Sequence, residues 1–95
     1  MNLRKGVFYK FETKNCSVCK MMEPVLQEFL NNNPDVVLER VNATDEMDLC
    51  EKLGIMAMPT FLYIEDEADG TPEMISGLVE RKDFAKFTKQ FLKAM

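Results

Sequence analysis

Two patterns of apolar residues alternate along the chain, and this alternation limits what the chain can fold into. Short runs of β-branched and aromatic residues are separated by longer segments in which apolar residues return every three or four positions. The first pattern predicts a β-strand and the second an amphipathic helix. The predicted order is β-α-β-α-β-β-α, which implies a four-stranded mixed sheet with helices on both faces, an α/β architecture.

The strands are predicted at residues 6–11, 36–41, 60–64 and 73–76. A helix separates the first two strands, so we expect them to be parallel with a right-handed crossover. The last two strands are separated by a polar segment that ends in Asp69-Gly70, which predicts an antiparallel hairpin. Gly77 then ends the sheet.

Three segments are predicted to be helical. The first covers residues 16 to about 31 and is kinked at Pro24, because proline removes a backbone hydrogen bond. The second begins at Thr44, whose hydroxyl caps the first amides, and stops at Gly54. In the last helix one face holds Phe84, Phe87, Phe91, Leu92 and Met95, and the opposite, solvated face holds Lys82, Lys86, Lys89 and Lys93.

Length and charge narrow the class of protein. A chain of 95 residues forms one small domain, residues 1–95, and 46% hydrophobic against 29% charged residues is a globular composition. The net charge of −4 and basic runs of at most two residues argue against nucleic acid as a partner. No apolar run approaches the roughly 20 residues that cross a bilayer. We therefore expect a cytoplasmic monomer that does not bind membranes.

The cysteine and histidine counts exclude several kinds of site. Three cysteines are too few, and odd in number, for a disulfide scaffold. The chain has no histidine, which excludes Cys/His zinc sites and catalytic Ser-His or Cys-His pairs. Cys50 has helical spacing with Met47 and Leu53, so it is predicted to be a buried core thiol.

Cys16 and Cys19 follow the first strand directly and lie at the start of the first helix. The unpaired amides and positive end of a helix favour a thiolate, and the pKa of cysteines so placed falls from about 8.5 to roughly 3.5–7.5. Cys16 is therefore the predicted nucleophile. One helical turn brings Cys19 beneath it, within reach of a disulfide, which makes Cys19 the predicted resolving thiol. Lys14 and Lys20 are candidates for added positive potential, and Ser17 is a candidate hydrogen-bond donor to the thiolate.

Other interpretations of this cysteine spacing are half of a metal site, a structural disulfide or two small core residues. A tetrahedral zinc site needs four ligands, and Cys50 supplies at most a third, so that an acid would be needed as well. A bridge across so short a loop adds little stability, and core cysteines have no reason to cluster at a helix start. Redox function is favoured, with no metal or organic cofactor. A metal or cluster held between two chains, or partner recognition without turnover, is the alternative.

The joint order of these motifs resembles the thioredoxin-like superfamily, and in length the short thioredoxins and glutaredoxin-like proteins. The resemblance covers almost the whole chain. Only about six residues precede the first predicted strand, so the extra N-terminal strand and helix of full thioredoxins are expected to be missing. The residues that show the resemblance are Cys16-Ser17-Val18-Cys19-Lys20, Pro24, Ile55-Met56-Ala57-Met58-Pro59-Thr60 and Gly77.

The resemblance implies a protein-disulfide reductase that cycles between the Cys16/Cys19 dithiol and disulfide. A flavin-dependent disulfide reductase would supply the electrons, and protein disulfides would be the substrates. The resemblance also implies that Pro59 is cis and lies against the two-cysteine turn, with Met58 beside it in the substrate groove. Asn15, Ser17 and Val18 are the remaining candidates for substrate contacts.

The chain departs from the family pattern around the resolving cysteine. Lys10 stands where thioredoxins have a buried acid, and Arg40 stands where they have a lysine. Proton transfer to and from Cys19 then requires water, or an acid such as Glu12 or Glu39.

The motif itself also departs from both relatives. Asn15 replaces the aromatic residue that usually precedes the first cysteine, and Ser17-Val18 replaces Gly-Pro. The Cys-Pro-Tyr-Cys pattern of glutaredoxins is missing too. A protein-dithiol partner is therefore favoured, and glutathione-dependent chemistry is the alternative.

Overall fold

The computed structural model describes residues 1–65 and 70–95. Its strands are β1 (Val7–Glu12), β2 (Val37–Asn42), β3 (Thr60–Ile64) and β4 (Pro72–Ser76). Its α-helices are α1 (Ser17–Met21), α2 (Glu23–Asn32), α3 (Met47–Leu53) and α4 (Arg81–Ala94). A 3₁₀ turn, Ala43–Glu46, precedes α3. Residues 66–69 of the predicted hairpin connection lie outside the described residues.

The four strands form one mixed sheet in the order β2-β1-β3-β4. Strands β1 and β2 are parallel, whereas β3 is antiparallel to both β1 and β4. The predicted α/β architecture and element order are confirmed, and each predicted strand end lies within one residue of the observed end. The central strand β1 is buried from Val7 to Phe11.

Alternate residues of β1 point to opposite faces of the sheet, and an apolar cluster lies on each face. Phe8 lies on the face covered by α2 and α4, and Tyr9 and Phe11 lie on the face covered by α3. The first cluster has the buried members Phe8, Met22, Leu26, Phe29, Phe61, Tyr63, Phe84, Phe87 and Phe91. The second has Val7, Tyr9, Phe11, Val41, Ala43, Cys50 and Leu62.

The segment predicted as one kinked helix is two helices. Helix α1 ends at Met21 and α2 begins at Glu23, with Met22 buried between them. Pro24 is the second residue of α2, where its missing N–H leaves no helical hydrogen bond unmade. A new helix therefore starts one residue before the proline, and the predicted kink is instead an interruption between two helices.

The predicted Thr44 cap is wrong, and the Gly54 stop is confirmed. The Asn42 side chain accepts a hydrogen bond from the Thr44 N–H at 3.0 Å and so caps the 3₁₀ turn. Helix α3 begins only at Met47. Strand β2 extends one residue further than predicted, which places an asparagine at the start of the turn. Gly54 ends α3 with a left-handed φ of 74°.

Helix α4 buries a narrower face than predicted. Phe84, Phe87 and Phe91 are buried, as is Thr88, whereas Leu92 and Met95 are exposed. Leu92 is displaced by about 80° around the helix from Phe84, which takes it off the buried face. The four predicted surface lysines are exposed. Within the described part of the chain, no helix has the length and apolar character needed to cross a membrane.

Candidate active site

Cys16 and Cys19 form a disulfide at the point where the chain leaves β1 and enters α1. Their Cα atoms are 5.2 Å apart. Cys16 is the N-cap of α1, and its Sγ accepts a hydrogen bond from the Cys19 N–H at 3.1 Å. The predicted position at a helix start and the predicted pairing within one turn are therefore both present.

The two sulfur positions differ in their access to solvent. Cys16 is half-buried, whereas Cys19 is 4% exposed. An incoming disulfide can therefore meet Cys16 directly, and Cys19 is reached only through Cys16.

The residues around Cys16 leave it open on one side. Asn15 has a φ of 58°, the only positive value among non-glycine residues of the described chain. Asparagine tolerates this left-handed conformation, so the chain can turn sharply into α1. Asn15 and Ser17 are exposed and Val18 is half-buried. The backbone role of Asn15 is not apparent from its neighbours in the sequence.

The segment that ends at Pro59 lies against the disulfide. The Met58-Pro59 peptide bond is cis, as the resemblance implied. The Met58 carbonyl oxygen is 3.9 Å from the Cys16 Sγ. The Pro59 carbonyl accepts a hydrogen bond from the Gly77 N–H at 2.8 Å, which fixes this segment to the end of β4. Cys16, Met58 and Pro59 are thus brought together from distant parts of the sequence.

An apolar groove of about 670 Å³ extends from Met58 along α3. Three methionines line it, Met47, Met56 and Met58, and Met56 is 95% exposed. Cys50 also lines the groove; it is buried and free, as predicted. Burial raises the pKa of the Cys50 thiol, and the nearby Glu46 raises it further.

Lys10 is fully buried and touches the resolving cysteine from behind. Its Nζ donates a hydrogen bond to the Cys19 carbonyl oxygen at 3.1 Å. The same ammonium forms ion pairs with Glu12, at 2.9 Å, and with Glu23. A cation with three acceptors therefore occupies the position where the resemblance implied an acid.

Arg40 completes this charged cluster. Its guanidinium donates two hydrogen bonds to the Glu23 carboxylate, at 2.7 and 2.8 Å, and lies 3.4 Å from Glu12. Hydrogen bonding from Arg40 and from Lys10 lowers the pKa of Glu23 to about 2, although partial burial opposes the shift. Paired with Glu23, Arg40 has its own pKa raised. Glu23 is thus an anion at neutral pH.

Only one of the two acids expected near Cys19 is there. Glu12 lines the small cleft that holds Cys16 and Cys19. Glu39 pairs in register with Tyr9, so its side chain lies on the α3 face of the sheet, where it is 3.5 Å from Arg4. The expectation for Glu39 is wrong because neighbouring strand residues point to opposite faces.

Glu23 is the site residue that sequence reasoning missed. The available signal was Lys10, a cation in the middle of an apolar strand, because a buried charge requires a partner. Lys14 and Lys20, which were singled out instead, line the cleft but are exposed. Among the Cys, Asp and Glu residues that the structure describes, no three are placed to hold a metal ion together.

Comparison with known proteins identifies the family. The Thioredoxin family model matches residues 2–90. A thioredoxin H-type of Oryza sativa subsp. indica is 34% identical over 65 residues, which is 68% of this chain and 53% of that protein. The chain thus spans about half the length of this curated relative.

Solved structures agree over a larger part of the chain. Mitochondrial thioredoxin 3 of Saccharomyces cerevisiae has a TM-score of 0.72 at 26% identity, covering 92% of this chain and 80% of that one. A thioredoxin of Nicotiana alata has a TM-score of 0.70 at 29% identity, covering 98% and 76%. With the Cys16–Cys19 disulfide, the cis proline and the sheet order in place, the chain belongs to the thioredoxin family.

Proposed function

We propose that this chain is a thiol–disulfide oxidoreductase that reduces protein disulfides through Cys16 and Cys19. The observation that supports it most directly is the disulfide between an accessible sulfur at a helix start and a buried sulfur one turn later. Membership of the thioredoxin family supports the same chemistry.

The reaction consists of two thiol–disulfide exchanges. The Cys16 thiolate attacks a substrate disulfide; a bond forms between Cys16 and one substrate sulfur, and the other sulfur leaves and takes a proton from water. Cys19 then loses its proton to water and attacks the Cys16 Sγ. The Cys16–Cys19 bond forms, the second substrate sulfur leaves and is protonated, and two electrons have passed to the substrate.

The dithiol must then be regenerated from outside. Nothing in the cycle returns electrons to Cys16 and Cys19, so an outside donor is required, and membership of the thioredoxin family favours a flavin-dependent disulfide reductase in this role. Both sulfurs come from one chain, so a monomer is sufficient for turnover.

Substrate contacts are assigned to the residues that surround the exposed side of Cys16. Asn15, Ser17 and Val18 adjoin Cys16 in the chain, the Met58 carbonyl oxygen lies 3.9 Å from its Sγ, and Pro59 follows Met58 as a fully buried residue. The flexible methionine side chains beyond Met58 suit substrates of varied sequence.

Serine substitutions of the three cysteines test the proposal in an insulin-reduction assay with dithiothreitol as the electron source. We expect Cys16→Ser to abolish turnover. Cys19→Ser, reduced first and mixed with insulin after the dithiothreitol is removed, should accumulate a covalent substrate complex that mass spectrometry detects. Cys50→Ser is the control and should retain turnover. Persistent activity of Cys16→Ser would refute the proposal, as would metal bound by Cys16 and Cys19 in anaerobically purified protein that shows no dithiol–disulfide transition.

A further inference from the structure

Lys10 is a buried cation that the two exchange reactions described above do not use. Its side chain is only 1% exposed, and burying a charge is costly unless partners compensate for it. A methionine-sized apolar residue would fill this part of the strand without that cost. The position of the charge, in contact with Cys19, points to a role in the site.

The Lys10 ammonium is held in place because each of its three N–H donors has an acceptor. Its three donors meet three acceptors: the Cys19 carbonyl oxygen and one carboxylate oxygen each from Glu12 and Glu23. Glu23 is itself clamped by Arg40. Lys10 is therefore the member of the cluster that contacts the Cys19 backbone, and Glu12 and Glu23 are its carboxylate partners.

The charged groups that face the dithiol come from β1, α1, α2, β2 and the loop after β1. They are Lys10, Glu12, Lys14, Lys20, Glu23 and Arg40. Lys14 and Lys20 are exposed to solvent, which screens their charge. The buried Lys10 is screened much less.

We propose that Lys10 is a positioning residue for the resolving half of the cycle, placing a fixed positive charge behind Cys19 that favours the attacking thiolate. This inference rests on the proposed function. In the resolving step the Cys19 S–H gives its proton to water in the cleft, the Cys19 thiolate forms its bond to Cys16 Sγ, and the substrate sulfur leaves with the electron pair of the mixed disulfide.

Glu23 does not serve as the base in this step. Held by Arg40 and Lys10, its carboxylate has a pKa of about 2 and is a poor proton acceptor at neutral pH. Its effect on Cys19 is electrostatic and opposite in sign to that of Lys10. Removing the cation and removing the anion should therefore shift the pH dependence of the resolving step in opposite directions.

The test separates the two exchange steps in time. Reduced protein is mixed rapidly with excess dithiobis(nitrobenzoate), a disulfide reagent. One coloured nitrothiobenzoate is released when Cys16 attacks the reagent and a second when Cys19 resolves the adduct. At high reagent concentration the second phase becomes independent of that concentration and reports the intramolecular step. Its rate is measured against pH for the unaltered chain, Lys10→Met, Glu23→Gln and the surface control Lys89→Met.

We expect Lys10→Met to raise the pH midpoint of the second phase by about one unit, a shift typical of losing a nearby opposite charge. Because thiolates of higher pKa are stronger nucleophiles, the rate should fall about threefold below the midpoint and rise about threefold above it, so that the two profiles cross. Glu23→Gln should lower the midpoint, and Lys89→Met should leave it unchanged. A merely structural defect would slow the reaction at every pH.

An unchanged or lowered midpoint in Lys10→Met would overturn the inference, as would shifts of the two site variants in the same direction. If Lys10→Met does not fold, Glu23→Gln decides alone, and an unchanged or raised midpoint overturns the inference. Failure of the proposed function has a different signature: the unaltered chain would show no concentration-independent second phase, and Cys16→Ser would retain insulin reduction.

Discussion

The fold fixes the charge of Glu23. Arg40 and Lys10 lower its pKa from 4.5 to about 2, so its interactions stabilise the folded state above pH 4.5, and this contribution is lost as the pH falls from 4.5 towards 2. The side chain is 32% exposed, which weakens the effect through solvent screening. We assign it about 1–2 kcal/mol.

Glu23→Gln should therefore reduce the free energy of unfolding at pH 7 by about 1–2 kcal/mol. The deficit should shrink as the pH is lowered towards 2, because the native carboxylate becomes protonated as well. Urea unfolding of the oxidised protein at several pH values measures this. Glu28→Gln, which removes an exposed partner of Arg81, is the matched control and should cost less than about 0.5 kcal/mol. Equal losses in the two variants, or a deficit that does not depend on pH, would contradict the assignment.

Site residues that are close in the sequence could be predicted from their spacing, whereas those that meet across long sequence separations could not. Cys16 and Cys19 are three positions apart, so their pairing follows from helix geometry. Glu23 meets Lys10 across 13 positions and Arg40 across 17, and each belongs to a different element. No short-range spacing encodes such a contact. The only sign of this contact in the sequence is Lys10 itself, because a lysine in a buried strand requires an acidic partner.

At the scale of elements, the turn between β2 and α3 shows how a capping residue is chosen. Thr44 and Asn42 both have capping side chains, and both precede acidic residues that favour a helix start. Asn42 is the capping residue because its backbone is still extended, with φ of −78° and ψ of 109°, as an N-cap requires. Thr44 lies within the turn itself and donates its N–H to that cap.

Replacing these two residues by alanine separates the alternatives. Asn42→Ala should lower the free energy of unfolding by about 1 kcal/mol, since it leaves the Thr44 N–H without its side-chain acceptor. Thr44 is exposed, and its side chain does not form the cap. Thr44→Ala should therefore change the free energy of unfolding by only a few tenths of a kcal/mol. Thermal and urea unfolding measure both. A larger loss for Thr44→Ala than for Asn42→Ala would show that the cap is misassigned.

At the scale of the whole molecule, the relative directions of β1 and β2 and of β3 and β4 could be predicted because each follows from the sequence pattern. A helix between β1 and β2 requires parallel strands, and a short connection between β3 and β4 favours a hairpin. The placement of β1 between β2 and β3 does not follow from these local patterns and is seen only in the structure. What periodicity alone missed was the limit of burial on α4, since Leu92 and Met95 are apolar yet exposed.

Helix α1, which is capped by Cys16 and contains Cys19, has five residues, whereas isolated helices shorter than about 12–15 residues are marginal in water. Its structure therefore depends on docking against the sheet, and in the reduced protein Cys19 meets a bulky alkylating reagent only when that docking opens. We expect Cys16 to be alkylated at least about tenfold faster than Cys19. Mass spectrometry of the two sites over time measures the ratio, and equal rates would show that Cys19 is not protected. The alkylation rate of Cys19 therefore reports how often α1 separates from the sheet, and this frequency depends on how firmly that short helix is packed.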